Sequence, residues 1–175
     1  MQVQDKHQQF EATVVPHLDA AYNLARWLTG DDQDAQDVVQ DAYLRAFKFF
    51  GSYHGGSSRA WLLTIVRHTA YTWLRQNRMH DPTTPFDDEM PDTIVETISL
   101  EGSFLQEADY QLLREAIAAL PLEFREVIIL HELEGLAYKE IAIVANIPLG
   151  TVMSRLSRAR DRLQKYLLGR MDKEI

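Results

Sequence analysis

The chain of 175 residues contains no cysteine, which excludes disulfide bonds, thiolate metal sites and cysteine nucleophiles. It also lacks any apolar run near the ~18 residues that a membrane span requires. Its N-terminus, MQVQDKHQQFEATVV, shows no basic segment followed by an apolar one, as a secretory signal would. We therefore expect a cytoplasmic protein without membrane insertion.

Signals of enzyme chemistry are equally scarce. The six histidines show no metal-ligand spacing, and His131-Glu132 lacks the second histidine of a zinc-binding helix. The sequence has no glycine-rich loop of the kind that cradles phosphate groups. We expect no enzymatic activity, no metal and no cofactor.

Positive charge is in deficit, with a formal net charge of -8, but both signs are strongly segregated. Residues 31–41 hold five acids and no base, and residues 81–109 hold nine acids and no base. Residues 59–80 hold four arginines and no acid, while residues 148–170 hold five arginines and one lysine against Asp161. Because salt screens fields beyond roughly 8 Å, a partner responds to these local blocks rather than to the total.

Apolar residues recur at steps of three and four along most of the chain, which is typical of amphipathic helices. No β-hairpin signal or internal repeat accompanies them, so the predicted fold class is all-α. Helices are predicted over 8–29, from Asp31 or Asp32 to the loop at 51–58, and over 59–77, 106–119, 122–134, 138–144 and 149–167. The predicted inward residues of the second and third helices are Ala35, Val38 or Val39, Ala42, Ala46 and Phe49, and Leu62, Ile65, Val66, Ala70, Trp73 and Leu74.

The segment between the third and fourth helices carries three of the six prolines, many acids and no sustained period, as in a tether. We therefore predict two small helical domains, 1–80 and 106–175, joined by an acidic linker, 81–105. The C-terminal domain has a short helix, a turn at 145–148 and a longer helix, which is the layout of a helix-turn-helix.

The longer helix of this motif has two distinct sides. A step of ~100° per residue clusters four apolar residues on the inward side, namely Val152, Leu156, Ala159 and Leu163. The opposite side carries Ser154, Ser157 and Asp161, flanked by Met153 and Arg158. Such a surface suits duplex DNA, with short polar side chains at base edges and guanidinium groups at phosphates.

These residues bring the chain close to a known family. The run LPLEFREVIILHELEGLAYKEIAIVANIPLGTVMSRLSRARDRLQKYL, 120–167, closely resembles region four of bacterial extracytoplasmic-function sigma factors. The runs LARWLTGDDQDAQDVVQDAYLRAF and RAWLLTIVRHTAYTWLRQNR resemble region two of the same family. The resemblance implies an alternative sigma factor with region two in 1–80 and region four in 106–175. Such a protein binds core RNA polymerase, recognises the minus-ten and minus-thirty-five promoter elements and initiates transcription of a specific regulon.

The resemblance assigns polymerase binding to the second helix, which would dock on the clamp helices of the largest subunit. It also implies contact with the polymerase flap. The matching residues for the clamp contact are Asp37, Gln40, Asp41, Leu44 and Arg45.

The resemblance assigns the minus-ten element to the third helix, with a flipped base held by the 51–58 loop. Aromatic and basic side chains suit unpaired strands, because bases stack on rings and phosphates meet cations. The matching residues are Arg67, His68, Tyr71, Thr72, Arg75 and Arg78. The family usually has asparagine in place of His68 and aspartate in place of Thr72, so the preferred bases are not carried over.

The resemblance assigns the minus-thirty-five element to the last helix. The matching residues are Met153, Ser154, Ser157 and Arg158 for base edges, with Thr151, Arg155 and Arg160 as phosphate or structural partners. Many members have lysine or arginine in place of Met153. Ala137 stands where a capping serine is common, which weakens the start of the support helix by ~1 kcal/mol.

Two other interpretations stay open at this point. A conventional helix-turn-helix regulator would bind duplex DNA alone, although the basic and aromatic module within residues 8–80 argues against it. A sigma-like decoy would sequester an anti-sigma factor without transcribing, although a decoy needs no arginine-rich DNA face. The family implies an anti-sigma partner in either case. The acidic stretch 81–109 is hypothesised to lie in the RNA-exit region of polymerase and, in the free protein, against the basic helices.

Overall fold

The structure is a computed structural model, and it describes residues 2–77 and 107–173. Within these two ranges the secondary structure is entirely helical, which confirms the all-α prediction. The chain divides into two compact units that largely coincide with the two ranges. The predicted linker, 81–105, and Arg78 lie outside the described residues.

Each unit is a small set of helices joined by short turns. The N-terminal unit contains α1 (Gln2–Val14), a 3-10 turn (Val15–His17), α2 (Leu18–Thr29), α3 (Asp32–Lys48), a 3-10 turn (Phe50–Ser52) and α4 (Ser58–Asn77). The C-terminal unit contains α5 (Glu107–Ala118), α6 (Leu122–Ile128), a π-helical turn (Ile129–Leu133), α7 (Tyr138–Ala145) and α8 (Leu149–Lys173).

The predicted single helix over 8–29 is wrong, because the chain forms α1 and α2 with a 3-10 turn between them. Pro16 lies in that turn. Proline has no backbone N–H to donate, and its ring clashes with the carbonyl of the residue four positions earlier, so a regular helix cannot continue through it. The inward periodicity survives the break, since Phe10 and Val14 before it and Ala21 and Leu28 after it are all buried.

The start of α3 agrees with the prediction. Gly30, at a φ of 79°, ends α2 in the left-handed conformation that glycine adopts without strain. Asp31 then caps α3, accepting a hydrogen bond of 2.9 Å from the backbone N–H of Asp34. The end of α3 does not agree, because the predicted inward residue Phe49 is 52% exposed. The turn after α3 directs Phe50 inward instead, 5.5 Å from the ring of Phe10.

The core of the N-terminal unit lies between α2, α3 and α4, which pack against one another. The predicted buried stripe of α4 runs from Leu62 to Leu74. Leu62, Val66 and Ala70 are buried as expected, but Ile65, Trp73 and Leu74 are only partly buried. Trp73 and Leu74 lie near the C-terminal end of α4, which ends at Asn77.

The C-terminal unit departs from the prediction after α6. The predicted regular helix continues to residue 134, but Ile129–Leu133 form a π-helical turn. Gly135 stops the helix at a φ of 66°. The turn brings His131 Nδ1 to 3.1 Å from the carbonyl oxygen of Leu136, so the chain reverses tightly before α7. Single π-helical turns of this kind are rare and change which side chains share a face.

The helix-turn-helix has well-defined ends. Asn146, at a φ of 55°, follows α7, and the N–H of Ile147 donates to the carbonyl of Ala142 at 3.0 Å, as in a Schellman motif. The carbonyl of Pro148 accepts from the backbone N–H of Thr151 at the start of α8. Helix α8 continues to Lys173, six residues beyond the predicted end at 167.

The support helix keeps half of a capping box despite having alanine at its N-cap. Glu140 Oε1 accepts a hydrogen bond of 3.0 Å from the backbone N–H of Ala137. Alanine offers no oxygen in return, so the other half of the box is missing.

Phe10 is the centre of the aromatic core, with its ring 5.1 Å from those of Tyr43 and Phe47 in edge-to-face contact. We predict that Phe10→Ala lowers the free energy of unfolding of the N-terminal unit by ~3–5 kcal/mol, because it leaves a cavity in this cluster. All three tryptophans, at 27, 61 and 73, lie in this unit, so tryptophan fluorescence during urea titration measures it selectively.

Gln8→Ala is the matched control for this experiment, since Gln8 is exposed on the same helix. It should change the free energy of unfolding by less than ~0.5 kcal/mol. A loss below ~1 kcal/mol for Phe10→Ala would show that the cluster does not hold α1 in place.

Candidate functional site

Helix α8 presents its predicted outward residues to solvent. Val152, Leu156 and Ala159 are fully buried, as predicted, and Leu163 is partly buried. Their burial fixes the rotation of the helix about its axis. All four predicted base-reading residues are therefore exposed, namely Met153, Ser154, Ser157 and Arg158. Thr151 is partly buried in the first turn, and its carbonyl accepts a hydrogen bond from the Ser154 hydroxyl.

Three other arginines of this helix are engaged by α6 and the turn after it. Arg155 Nη2 lies 3.8 Å from Glu123 Oε2, and Arg160 Nη2 lies 3.1 Å from Glu132 Oε1. Arg162 lies over the ring of Phe124, at 5.0 Å from its centroid. These partners belong to no predicted set, because their proximity depends on how α6 packs against α8.

Arg158 differs from these three side chains. It is exposed and forms no ion pair with any residue in the described ranges. Its planar guanidinium is therefore available to a phosphate or a guanine edge without first leaving a protein partner.

The predicted minus-ten residues of α4 that the structure describes form a strip along the helix, with two sets of side-chain contacts. Arg67 lies over the ring of Tyr71, with its guanidinium carbon 4.2 Å from the centroid. One turn along, the Thr72 hydroxyl donates to the carbonyl of His68 at 2.9 Å, and Arg75 Nη2 donates to Thr72 Oγ1 at 3.4 Å. His68 and Arg75 are exposed, while the other three are partly buried. The strip thus combines a stacked aromatic ring with two guanidinium groups.

The loop before α4 is held by a small set of local contacts. Gly55 and Gly56 have φ values of 96° and 82°, which residues with a Cβ rarely adopt. The Tyr53 hydroxyl donates to the carbonyl of Gly56 at 2.9 Å, and Ser57 Oγ accepts from the N–H of Ala60. The ring of Tyr53 also lies 5.3 Å from that of Trp61, which is partly exposed beside the loop.

A surface cavity of about 550 Å³ lies on the α1 side of this loop. The α1 residues that line it were not singled out from the sequence, because only the tertiary packing brings α1 to the loop. Its lining residues are Lys6, Gln9, Ala12 and Thr13 from α1, and Phe50, Gly51, Tyr53 and Gly55 from the turn and loop.

His17 joins the turn between α1 and α2 to the start of α4. Its Nε2 lies 2.9 Å from the hydroxyl oxygen of Ser58. Burial lowers the pKa of His17, and the nearby Arg59 lowers it further. A neutral imidazole is favoured here, since a cation would face the positive end of the α4 dipole as well as Arg59.

The predicted polymerase-binding residues share one exposed side of α3. Asp37, Gln40, Asp41 and Leu44 are exposed and Arg45 is partly buried, with Arg45 Nε 3.2 Å from Asp41 Oδ1. Asp37 accepts a hydrogen bond from Gln33 one turn earlier. The surface is therefore acidic with one apolar side chain at its C-terminal end.

Two exposed rings extend this surface beyond the predicted set. Phe47 and Phe49 are both exposed, and Lys48 lies over the Phe49 ring at 5.6 Å. The sequence pattern predicts that Phe49 points inward, so only the structure shows that the apolar surface continues to the end of α3.

No group of three or more histidine, aspartate or glutamate residues within 2–77 and 107–173 is placed to hold a metal ion. In the same ranges, no helix is both long and apolar enough to cross a membrane.

Two family models match the chain, in the order that the sequence resemblance predicts. The model for sigma-70 region 2 matches residues 13–79, which include α2, α3 and α4. The model for sigma-70 region 4 matches residues 110–163, which include the helix-turn-helix.

Similar proteins with curated names span most of the chain. The RNA polymerase sigma-H factor of Pseudomonas aeruginosa is 32% identical over 90% of this chain and 86% of its own length. The ECF RNA polymerase sigma-E factor of Escherichia coli K12 is 34% identical over 74% of this chain and 72% of its own length. The ECF RNA polymerase sigma factor SigE of Mycolicibacterium smegmatis is 32% identical over 90% of this chain, which spans only 61% of that relative.

Solved sigma factor structures share the fold. The sigma factor RpoE of Bartonella quintana, solved in complex with the anti-sigma factor NepR, gives a TM-score of 0.73 at 29% identity and covers 91% of this chain and 97% of its own. CnrH in complex with the cytosolic domain of CnrY gives a TM-score of 0.66 at 24% identity, which supports the fold alone. The two matched regions, their order and these relatives together show that the chain belongs to the extracytoplasmic-function sigma factors of the sigma-70 family.

Proposed function

We propose that the chain directs core RNA polymerase to a specific set of promoters and starts transcription there. The observation that carries this proposal is the division of α8 into a fully buried apolar side and an exposed side bearing Met153, Ser154, Ser157 and Arg158. A helix-turn-helix with this division can insert its second helix into the major groove. Because polymerase and chromosome share the bacterial cytoplasm, this function places the protein there.

The exposed side of α8 is proposed to read the minus-thirty-five element. Ser154 and Ser157 can approach base edges closely because their side chains are short, and Arg158 can form two parallel hydrogen bonds to a guanine. Met153 is 53% exposed and offers an apolar contact in place of a charge. In this proposal the minus-thirty-five element is thus read by one cation and three uncharged side chains.

The α4 strip and the preceding loop are proposed to bind the opened minus-ten element. The Arg67–Tyr71 pair offers a ring and a cation within 4.2 Å of each other, and stacked rings hold unpaired bases with little dependence on sequence. His68 and Thr72 are proposed to select bases at this element. In our proposal, therefore, α4 binds the strand after melting, whereas α8 binds duplex DNA.

The acidic side of α3 is proposed to bind the polymerase clamp helices, with the flap contacting the C-terminal unit. Exposed Leu44 supplies apolar area, and the surrounding carboxylates and Gln40 supply polar contacts that orient it. Charge on this surface would set the association rate and the choice of partner more than the total affinity.

An anti-sigma factor is proposed as a further partner. The support is the relative from Bartonella quintana, which was solved in complex with the anti-sigma factor NepR. A protein that covers the α3 side would exclude polymerase, because both would need the same residues. Such an inhibitor is recognised by its ability to stop transcription in a purified system, with relief on addition of excess chain; an inhibitor that excess chain fails to relieve is not this partner.

In vitro transcription with purified core polymerase, the full chain and a promoter library tests the proposal as a whole. We expect transcripts from a subset of promoters that share one sequence at minus-thirty-five and another at minus-ten. Core polymerase alone is the control and should give none of them. Absence of transcripts while the chain still binds core polymerase would favour a decoy that sequesters an anti-sigma factor.

Arg158→Ala should weaken binding to the minus-thirty-five element by ~1–3 kcal/mol while leaving core polymerase binding unchanged, as expected for a base-edge contact. Fluorescence anisotropy of the holoenzyme on promoter DNA measures the first quantity, and titration of labelled chain with core enzyme measures the second. Arg158→Lys is the matched control, because it keeps the charge but loses the two-pronged geometry. Equal affinity and equal base preference in all three proteins would remove Arg158 from base reading.

Asp41→Lys combined with Gln40→Ala should weaken core polymerase binding at least tenfold, about 1.4 kcal/mol, because it reverses a charge on the proposed docking surface. Asp5→Lys combined with Gln8→Ala makes the same changes at exposed positions of α1 and should leave binding unchanged. Loss of the exposed Asp41–Arg45 pair itself costs little stability. Normal core affinity in the α3 variant would contradict the clamp assignment.

A further inference from the structure

Two acids, one in α6 and one in the turn after it, meet arginines of α8 with different geometry. Glu123 is 65% exposed, and its contact with Arg155 is a loose 3.8 Å. Glu132 is 34% exposed, and its carboxylate oxygen lies at hydrogen-bond distance, 3.1 Å, from Arg160 Nη2. A short pair with partial burial is held more firmly than an exposed pair near 4 Å. Glu132 is therefore the acid that can constrain α8.

The surroundings of Glu132 connect it to both helices of the DNA-binding motif. It belongs to the π-helical turn, and its neighbour His131 contacts the ring of Tyr138, the first residue of α7, at 5.0 Å. The hydrogen bond to Glu132 raises the pKa of Arg160, although partial burial acts in the opposite direction. The π-helical turn thus contacts the start of α7 through His131 and the middle of α8 through Glu132.

Helix α8 is long enough for a small rotation to matter. Its 25 residues extend about 37 Å, and Arg160 lies near the midpoint, only two residues from Arg158. Specific contacts require placement to about 0.5 Å and 10–20°, so a change in the crossing of α7 and α8 would disturb base reading while leaving the helices folded.

We propose that Glu132 is a positioning residue for minus-thirty-five recognition. It orients α8 by holding Arg160, and Arg160 therefore places the helix and does not bind a DNA phosphate. The inference rests on the proposed promoter recognition, because it concerns how that same surface is aligned. It assigns opposite functions to two arginines of one helix, with Arg158 reading DNA and Arg160 supporting it.

The sign of the effect at Glu132 separates this inference from simple electrostatics. Replacing an acid near DNA by a neutral amide removes repulsion from the phosphates, so electrostatics alone predicts tighter binding for Glu132→Gln. A positioning function predicts weaker binding instead. The geometry favours the second outcome, since Glu132 is directed to Arg160.

The test uses holoenzyme assembled from core polymerase and the full chain, on a promoter that supports its transcription. Promoter affinity is measured over a series of salt concentrations for wild type, Glu132→Gln, Arg160→Gln, the double variant, the charge swap Glu132→Arg with Arg160→Glu, and Arg158→Ala. We expect each single variant at 132 and 160 to lose roughly five- to tenfold in affinity, the double variant to lose no more than either, and the swap to recover most of the loss.

Salt dependence and thermal unfolding separate a positioning function from a phosphate contact and from a loss of folding. The slope of log affinity against log salt should match wild type in the 132 and 160 variants, because the loss of a cation that contacts a phosphate would lower it by about one. Thermal unfolding of Glu132→Gln should shift by less than ~4 °C, since a partly exposed pair contributes little stability. The swap keeps the inference falsifiable if a single variant unfolds.

Three results would overturn the inference. Unchanged or tighter binding by Glu132→Gln, beside a wild type that recognises its promoter, would remove the positioning function alone. A salt slope reduced by about one in Arg160→Gln, with no rescue by the swap, would make Arg160 a phosphate contact. Wild-type holoenzyme without sequence preference at minus-thirty-five would refute both the proposed function and this inference.

Discussion

The structure depends on one constraint: α3 and α8 must each bury an apolar side in a small core, and this decides where their charged side chains lie. On α8, burial of Val152, Leu156 and Ala159 leaves Ser154, Ser157 and Arg158 outside, because a helix repeats every 3.6 residues. The same periodicity on α3 buries small apolar residues on one side of the helix and leaves carboxylates exposed on the other. The inward pattern is alike in the two helices, so the sign of the outward charge can differ without changing the fold.

Local patterns predicted the helices and their caps well, because period, capping residues and glycine stops are encoded within a few positions. The Asp31 cap, the left-handed Gly30 and the inward side of α8 all follow from neighbouring residues. The failures arise where longer contacts decide. Phe50, rather than Phe49, turns toward Phe10, and Arg160 finds Glu132 at a separation of 28 residues. The break at Pro16 was readable from the sequence, but its apolar period continues across the break and conceals it.

Segregated charge reconciles an acidic protein with DNA binding. The total of -8 includes acids in 31–41 and 81–109, whereas the α8 surface carries arginines with Asp161 as its one acid between 148 and 170. Fields fall off within roughly 8 Å at physiological salt, so α8 attracts phosphate although the whole chain is negative. Three of its arginines nevertheless contact α6 and the turn after it, which lowers the number of cations available to neutralise DNA phosphates. In the proposed function, binding of duplex DNA would then depend more on the placement of Arg158 than on the number of basic residues.

The N-terminal unit divides its aromatic residues between two demands. Phe10 and Trp27 are fully buried and can serve only the core. Tyr53 and Trp61 are partly exposed and pack on each other beside a loop with two left-handed glycines. A ring that stacks on a base needs an accessible face, and leaving apolar area in water costs roughly 25 cal/mol for each Å² that burial would have removed. Such exposure is tolerable because Phe50 contacts Phe10 as well as Tyr53 and Trp61, so the loop rings rest on the buried aromatic core while they keep an accessible face.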